Sequence, residues 1–552
     1  MSVPSDSAKT SQMLINGRSS LVDEAIQGLL RRDGRLALLD DARTVVLRDS
    51  STGVAVISGG GSGHEPAHAG LVGRGALSAA VCGDVFASPS VAQAESALRW
   101  AGERGALVVV KNYTGDRLTF GLAAARARSG GVACEVVVVG DDVATEEGAR
   151  RGLAGTLFVH KMAGAMASEG ESLETMAREC REAASEVWTL GASLGECNVP
   201  RERTEKKKKE EAEQVRLKEG EVEVGMGIHN EAGCRKQAFN GAAELVADML
   251  RMLREKARLG PEDEFAMIVN NLGGCSGLEM GVLANECLSS AWPGRQTVLM
   301  AAGTSLMTSL DMHGFSVSIM RLTPRRRRLL ELPCEVLSFR PVNPRPHVVV
   351  VPPSPSLSSF SFSGPPVSDA VLLKVISACR ALQSAARHLD ALDKVVGDGD
   401  CGTTLAGGAS RFLSSLPVDG SSRAAVLSRA AAACEAMGGS SGVLLGVFFL
   451  AAASATFASS LADCLTEGLA RLQEVGGAQK GSRTMVDALA PAIEAMHRGE
   501  SPARAARIGA DSTKNMAVAR AGRSAYLNSE TLLGHSDPGA EAVAIFLEEI
   551  EK

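Results

Sequence analysis

Short β-branched runs recur between helical patterns from about residue 40 to 322: TVVL, VAVIS, ALVVVKN, CEVVVVGDD, FAMIVNN, TVLMAAG and FSVSIMRL. Strands that are apolar on both faces and alternate with amphipathic helices predict an α/β domain on a largely parallel sheet. Several of them run into glycine or polar loops, namely SGGGSG, NYTGD, NNLGG and AAGT. Ligands in such folds sit at the carboxyl ends of strands, so these loops are where chemistry is sought. From Ser368 onward the period becomes 3.6, in alanine-rich segments such as AVLLKVISACRALQSAARHLDAL and SRAAAACEAM, which predicts an all-helical second domain.

Between the two patterns lies a tract holding eight of the 20 prolines, PVNPRPHVVVVPPSPSLSSFSFSGPP, which reads as a partly extended linker. RRRR at residues 325–328 and the almost wholly charged stretch 201–223 read as solvated segments rather than nucleic-acid or targeting patches. With 552 residues, about two to four domains are expected. A net charge of −6 gives no global basic footprint, so nucleic acid is not an expected partner. The N-terminus lacks a signal pattern and no apolar run spans a membrane, which points to a cytoplasmic protein. The 12 cysteines include no C-x-x-C pair, which disfavours a structural zinc site and a disulfide framework.

The stretch GGGSGHEPAHAG, residues 59–70, admits three mechanisms. Its HEPAH matches the zinc pattern H-E-x-x-H, but that pattern needs a helix and Pro66 interrupts one. The longer zinc-protease continuation would put glycine at 71 and histidine at 74, where Leu71 and Arg74 stand; a third ligand such as Glu95 stays open. A dinucleotide fingerprint would need glycine where His64 or Pro66 stands, and no Gly-Lys pair exists for a phosphate-binding P-loop. What remains is a strand running into glycines whose amides surround a small polar ligand, with His64 and His68 opening the next helix as neutral acid/base groups. KNYTGD adds Asp116 at another strand end, and GMGIHNEAG places His229 between small residues that let a ligand approach its ring.

A second constellation lies in LDKVVGDGDCGTT, where Asp393, Asp398 and Asp400 follow at spacings of five and two. Carboxylates near a helix C-terminus oppose its dipole and repel one another unless a cation neutralises them, and an all-oxygen set suits Mg²⁺. An EF-hand is not completed, because Gly402 occupies its fifth position. CGTT then opens a helix, MGGSSG offers a second glycine-serine loop, GSRTM and AGRSAYL supply Arg483 and Arg523, and DPGA forms a late turn. Together these predict a helical Mg-nucleotide site without a P-loop.

With these motifs in order, joined by CGDVFASPS, RRGLAGTLFVHKMAGA, GMGIH, NNLGG and TSLDMHGFS, the whole chain from about residue 12 resembles the single-chain, ATP-dependent dihydroxyacetone kinases, or triokinases. The resemblance implies an α/β substrate domain with two sheet-containing subdomains over residues 12–340, a linker over 341–367 and an all-α helical barrel for ATP over 368–552. It implies that His229 adds to the substrate carbonyl as a hemiaminal, which glycerol cannot form. Gly60, Gly61, Ser62 and Gly63 would line the pocket with Lys111 nearby, and His64 and Asp116 would hydrogen-bond the reacting hydroxyl. Asp393, Asp398 and Asp400 would hold two Mg²⁺ ions. Contacts to ATP would come from Asp400, Cys401, Gly402, Thr403, Thr404, Ser440, Ser441, Gly476, Arg483, Thr484, Met485, Asp537, Pro538 and Gly539, and Arg523 would stabilise the transferring phosphoryl. The expected substrates are dihydroxyacetone and D-glyceraldehyde, and the expected assembly is a homodimer in which the substrate domain of one subunit faces the nucleotide domain of the other.

The chain departs from the family pattern in places. HNEAG replaces the usual His-Gly-Glu-Pro-Gly, with Asn230 and Ala232, while Ser482 and Gly407 stand where charged residues are common. Two other readings are compatible with parts of the pattern: an FAD-AMP lyase (FMN cyclase), which would use the nucleotide site without His229, and a non-enzymatic ligand-binding regulator. Retention of both His229 and the aspartates argues against the regulator, which would need only one constellation.

Overall fold

The protein is described by a computed structural model covering residues 13–39, 43–49, 53–200, 216–290, 292, 295–336, 339, 365–416, 422–455 and 460–552. The chain divides into two compact units, Met1–Val350 and Val351–Lys552. The proline-rich tract from 341 to 364 and residues 201–215 of the charged insertion lie outside the described residues.

In the first unit, β1 (Leu36–Leu39), β2 (Thr44–Leu47), β3 (Ala55–Ser62), β4 (Ala79–Val85), β5 (Ala106–Lys111) and β6 (Cys134–Val139) form one sheet in the order β1-β2-β4-β3-β5-β6. Its β4-β3-β5-β6 portion is parallel. A second sheet holds β7 (Val187–Ser193), β8 (Glu221–Val224), β9 (Arg235–Ala238), β10 (Glu264–Asn271), β11 (Arg295–Thr304) and β12 (Gly314–Leu322), in the order β11-β10-β12-β7-β8-β9. Only β10 and β11 run parallel there; the remaining pairs are antiparallel, which corrects the expectation of a largely parallel sheet. The reason is that both faces of β10 and β12 are buried, and a continuous apolar run reports covered faces, not strand direction.

Side-chain alternation divides each strand between two cores. Val56, Leu107 and Val109 of the first sheet, with Ala266, Ile268 and Met320 of the second, belong to one central cluster. Ile57, Val108 and Val110 face a separate cluster with the helices Val91–Ala101 and Thr114–Ser129, and Phe265, Met267 and Val269 face another with the helix Ala242–Ala257. The helix Thr156–Ser168 is buried at every position from Thr156 to Met166 and fills the central cluster, packing on β3 and β5.

The RRRR run is a correction to its reading as a solvated segment. It forms the helix Pro324–Glu331, with Thr323 as N-cap and proline in the first turn. Arg325 pairs with Glu171, Arg326 with Glu186, Arg327 with Glu264 and Glu331, and Arg328 with Glu169, and Arg326 is buried. The charged insertion likewise ends in ordered structure: Glu221–Val224 is β8, and buried Glu223 accepts Arg216 Nε at 2.8 Å.

The second unit is all helical. The helices Asp369–Val396, Cys401–Ser415, Arg423–Glu435, Gly439–Ser454, Leu461–Gly476, Val486–Arg498, Pro502–Ser512 and Pro538–Glu551 each pack on the next, and the last returns to the first, closing a barrel. Small residues permit this closure: a Cβ on Gly402 would collide with the Ala386 carbonyl, and one on Gly442 would lie 2.6 Å from that of Cys434. Among the described residues no helix is long and apolar enough to cross a membrane.

Candidate active site

Gly59, Gly60 and Gly61 of GGGSG are part of β3 rather than of a loop beyond it, and only Gly63 follows the strand end. Their lack of side chains matters at two positions. A Cβ on Gly61 would lie 2.7 Å from the Ala87 nitrogen, and one on Gly60, at φ 150°, would lie 3.1 Å from Lys111 Nζ and 3.2 Å from Asp116 Oδ2. Gly60 therefore leaves an opening into which an ammonium and a carboxylate both reach. Lys111 ends β5 and is wholly buried, and its Nζ has no hydrogen-bond partner. Burial pulls its pKa down, partly offset by Asp116 and Glu231. An orphaned buried donor of this kind fits a hydroxylated ligand held against β3. Asp116 lies in the first turn of the helix Thr114–Ser129, one step beyond the predicted strand end, and accepts the Ser88 hydroxyl. Ser62 donates to the Gly83 carbonyl at 2.8 Å, and the Gly63 N–H is held by Glu65.

His64 and His68 do not open an α-helix as expected; only the three-residue 3₁₀ turn Ala69–Leu71 follows them. Nor do they converge. His68 is buried at 3.4 Å from Ser58 Oγ and packs edge-on against His160, whose Nε2 is 3.1 Å from the same hydroxyl. Neither histidine of HEPAH belongs to a cluster of potential metal ligands among the described residues, which removes the zinc reading of that motif.

His64 instead meets His229. Its Nδ1 lies 2.7 Å from the Thr308 carbonyl, which can only accept, so Nδ1 carries the proton. Burial, then the Lys111 and His229 charges, push His64 well below the ordinary histidine range, so it is neutral with a lone pair on Nε2. That nitrogen is 3.0 Å from His229 Nε2. His229 Nδ1 lies 3.0 Å from Glu231 Oε1, while the backbone N–H of His229 donates to Oε2 at 2.8 Å. Burial alone would raise Glu231, but these His229 contacts hold it at about 2, so it is ionised. Phe86 stacks on His64, and Phe86 and Tyr113 present edges to His229. Glu231, Thr308, Phe86 and Tyr113 escaped sequence reasoning, although Glu231 stands two residues from His229 in a loop already singled out. Asn230 takes φ 64°, a conformation that asparagine tolerates better than most residues, and its amide bonds both the N–H and the carbonyl of Cys197.

In the second unit the ligand oxygens of Asp393, Asp398 and Asp400 lie within 4.8 Å of one another. Asp393 Oδ2 accepts the backbone N–H groups of Gly399, Asp400 and Cys401 at 2.9, 3.0 and 3.1 Å, which folds the GDGD turn over the end of its helix. An all-oxygen set gathered in this way fits Mg²⁺. Asp390, not anticipated, accepts both the N–H and the hydroxyl of Thr403, at 2.9 and 2.6 Å. Cys401, Gly402, Thr403 and Thr404 form the first turn of Cys401–Ser415, and burial together with the surrounding aspartates pushes the Cys401 thiol to about 12.

The remaining nucleotide candidates form two groups. Arg483 is buried and donates to the Leu532 and His535 carbonyls, with its Nε and Nη1 unpartnered, and Asp487 holds the N–H of Thr484 at 2.9 Å. Asp537 caps Pro538–Glu551 by accepting Ala540 N–H, and a Cβ on Gly539 would lie 3.3 Å from Met485 Cβ, so 483–485 and 537–539 meet. Ser440 and Ser441 open Gly439–Ser454, and Gly476 packs on Leu444 of that helix. The Arg523–Tyr526 turn is fixed beside the GDGD turn by a bond from Ser524 Oγ to the Val396 carbonyl; the Arg523 side chain lies outside the described residues. Ser482 is buried and accepts Gln479 N–H at 2.9 Å, and Gly407 has open space where a Cβ would be.

Residues 27–338 match the Dak1 domain family and residues 395–552 the DAK2 domain family. The dihydroxyacetone kinase of Citrobacter freundii is 40% identical over 97% of this chain and 98% of its own length. The triokinase/FMN cyclase of Homo sapiens is 36% identical over 98% of this chain and 99% of its own. The crystal structure of the C. freundii enzyme in complex with AMP-PNP and Mg²⁺ superposes with a TM-score of 0.74 at 37% identity, covering 98% of this chain and 99% of the other. Two-domain order, fold and near-complete length agree throughout, and the chain belongs to the single-chain, ATP-dependent dihydroxyacetone kinase family.

Proposed function

We propose that this kinase transfers the γ-phosphoryl group of ATP to dihydroxyacetone, and also to D-glyceraldehyde, after capturing the carbonyl on His229. The observation that carries the reading is the His64–His229 contact. Both Nδ1 positions are committed, so the 3.0 Å between the Nε2 atoms is a hydrogen bond only when one proton is shared between them. As the His229 Nε2 lone pair adds to the carbonyl carbon, the C=O π bond breaks and the shared proton passes through His64 Nε2 to the former carbonyl oxygen, which becomes a hydroxyl and leaves His64 neutral. Glu231 holds the His229 ring in this tautomer. Glycerol has no carbonyl to capture and is a poor substrate on this reading.

Asp116 and Lys111 then receive the substrate hydroxyls beside Gly60, with Asp116 or His64 accepting the proton of the hydroxyl that is phosphorylated. Asp393, Asp398 and Asp400 would hold two Mg²⁺ ions, which neutralise phosphate charge and align the nucleotide. Thr404, Ser440 and Ser441 contribute N–H and hydroxyl donors for phosphate from helix N-termini, and Arg523 stabilises the transferring group. A homodimer is part of the proposal.

An ADP-release assay with dihydroxyacetone, D-glyceraldehyde and glycerol tests it, on the wild type, His229→Ala and Asp398→Asn. Carbonyl-dependent turnover that requires Mg²⁺, is lost in His229→Ala and needs more Mg²⁺ in Asp398→Asn is the expected result. Equal turnover of glycerol and dihydroxyacetone by the wild type would sink the covalent-capture reading.

A further inference from the structure

A second set of potential ligands, outside the groups assigned to substrate and ATP, lies where the ends of β10 and β12 meet. Cys275 Sγ, a Glu279 carboxylate oxygen and a His313 ring nitrogen all lie within 4.8 Å of one another. We propose that Cys275, Glu279 and His313 form a binding site for one Zn²⁺ ion, with the fourth tetrahedral position open to water.

The donor chemistry selects the metal. Mg²⁺ binds oxygen and rejects thiolate, whereas one sulfur, one imidazole nitrogen and one carboxylate oxygen form a set that Zn²⁺ accepts. The frame under the three side chains is already rigid. Gly273 and Met312 form a β-bridge, Gly274 N–H donates to the Met312 carbonyl at 2.9 Å, and a Cβ on Gly274 would lie 2.8 Å from the His313 nitrogen. Asn271 fixes Cys275 from both sides, accepting its N–H at 3.3 Å and donating to its carbonyl at 2.8 Å.

Glu279 can ligate without disturbing its helix. Its Oε2 accepts the Ser276 N–H at 2.7 Å in a capping box, which leaves Oε1, now 2.7 Å from His313 Nε2, to turn to a metal. The ion replaces that hydrogen bond and also the weak Cys275 Sγ–H bond to the Gly314 carbonyl at 3.3 Å, and the thiol proton passes to solvent. The Glu279 and His313 side chains are nearly half exposed, at 46% and 44%, so an ion has a direct entry path. A surface Glu–His pair alone would be ordinary; the cysteine just before the Glu279 helix, set beside the same His313 from the other loop, is what points to a soft cation. No C-x-x-C spacing announces the site, because its ligands come from two segments joined only by folding.

The test uses the full-length protein, stripped of transition metals and held in excess Mg²⁺ so that the aspartate site is occupied, titrated with Co²⁺ and then Zn²⁺. One equivalent of Co²⁺ should give a near-ultraviolet thiolate-to-cobalt charge-transfer band that Zn²⁺ abolishes. Cys275→Ser should lose the band, and His313→Gln, an exposed change that leaves folding intact, should weaken Co²⁺ binding at least ~10-fold, since even an outer partner of a metal ligand is worth about that much. Asp398→Asn should leave the band unchanged. No band in the wild type overturns the proposal, as does a band of undiminished affinity in either Cys275→Ser or His313→Gln.

Discussion

His64 and His229 face each other Nε2 to Nε2 at 3.0 Å, each with its other ring nitrogen tied to a different partner, Thr308 in one case and Glu231 in the other. The two rings therefore act as one unit with a single proton to place. Replacing His64 by alanine should lower kcat for dihydroxyacetone by about 10²–10⁴-fold, the usual contribution of a positioned acid/base. Replacing His229 should in addition erase discrimination against glycerol. Steady-state ADP release with both substrates separates the two effects.

Glu231 touches His229 by its ring and by its backbone, so it acts by positioning. Glu231→Gln keeps the size but loses the charge that fixes the His229 tautomer. A drop of about 10²-fold in kcat/KM for the carbonyl substrate is expected, on the scale of a misplaced reacting group, with KM for ATP unchanged. A parallel rise in KM for ATP would count against a positioning role.

Asn230 combines a left-handed backbone with two amide bonds to Cys197, so two substitutions separate those contributions. Asn230→Gly keeps the conformation and loses the bonds, costing about 1–2 kcal/mol. Asn230→Ala loses the bonds and also meets left-handed strain, so it should be less stable than the glycine variant by about 1 kcal/mol. Urea unfolding of the three proteins gives the order directly.

Asp537 gives a pH prediction. Burial raises its carboxyl from 3.8 to about 6, so the folded protein holds this proton more tightly than the unfolded chain. Its contribution is complete below about pH 4 and is lost as pH rises through about 6, corresponding to about 3 kcal/mol. Asp537→Asn keeps an acceptor for the Ala540 N–H and has no charge to bury. The variant should match the wild type near pH 4 and exceed it in stability near pH 7, measured without nucleotide or Mg²⁺. A gap that stays constant over that range would exclude the effect.

The two constellations were legible because short segments announce them: GGGSGH, KNYTGD and GMGIH each end in a chemistry-bearing loop, and GDGD stands with Asp393 at the end of one helix. Their controlling partners were not. Thr308 lies 244 residues from the His64 whose tautomer it sets, and Asp390 binds Thr403 across a turn that spacing alone does not reveal. Strand direction in the second sheet was hidden because β10 and β12 are buried on both faces whichever way they run. RRRR looked solvated because sequence shows the charges but not the glutamates that pair with them.

The helix Thr156–Ser168 belongs to neither sheet and has no water-facing side from Thr156 to Met166, so the lining of each sheet is also the lining of the other. Neither layer of the substrate unit can open alone without wetting a core that both share. The unit is thereby committed to melting as a single cooperative block, and Phe158→Ala, costing about 3–5 kcal/mol, should lower one transition rather than split it into two.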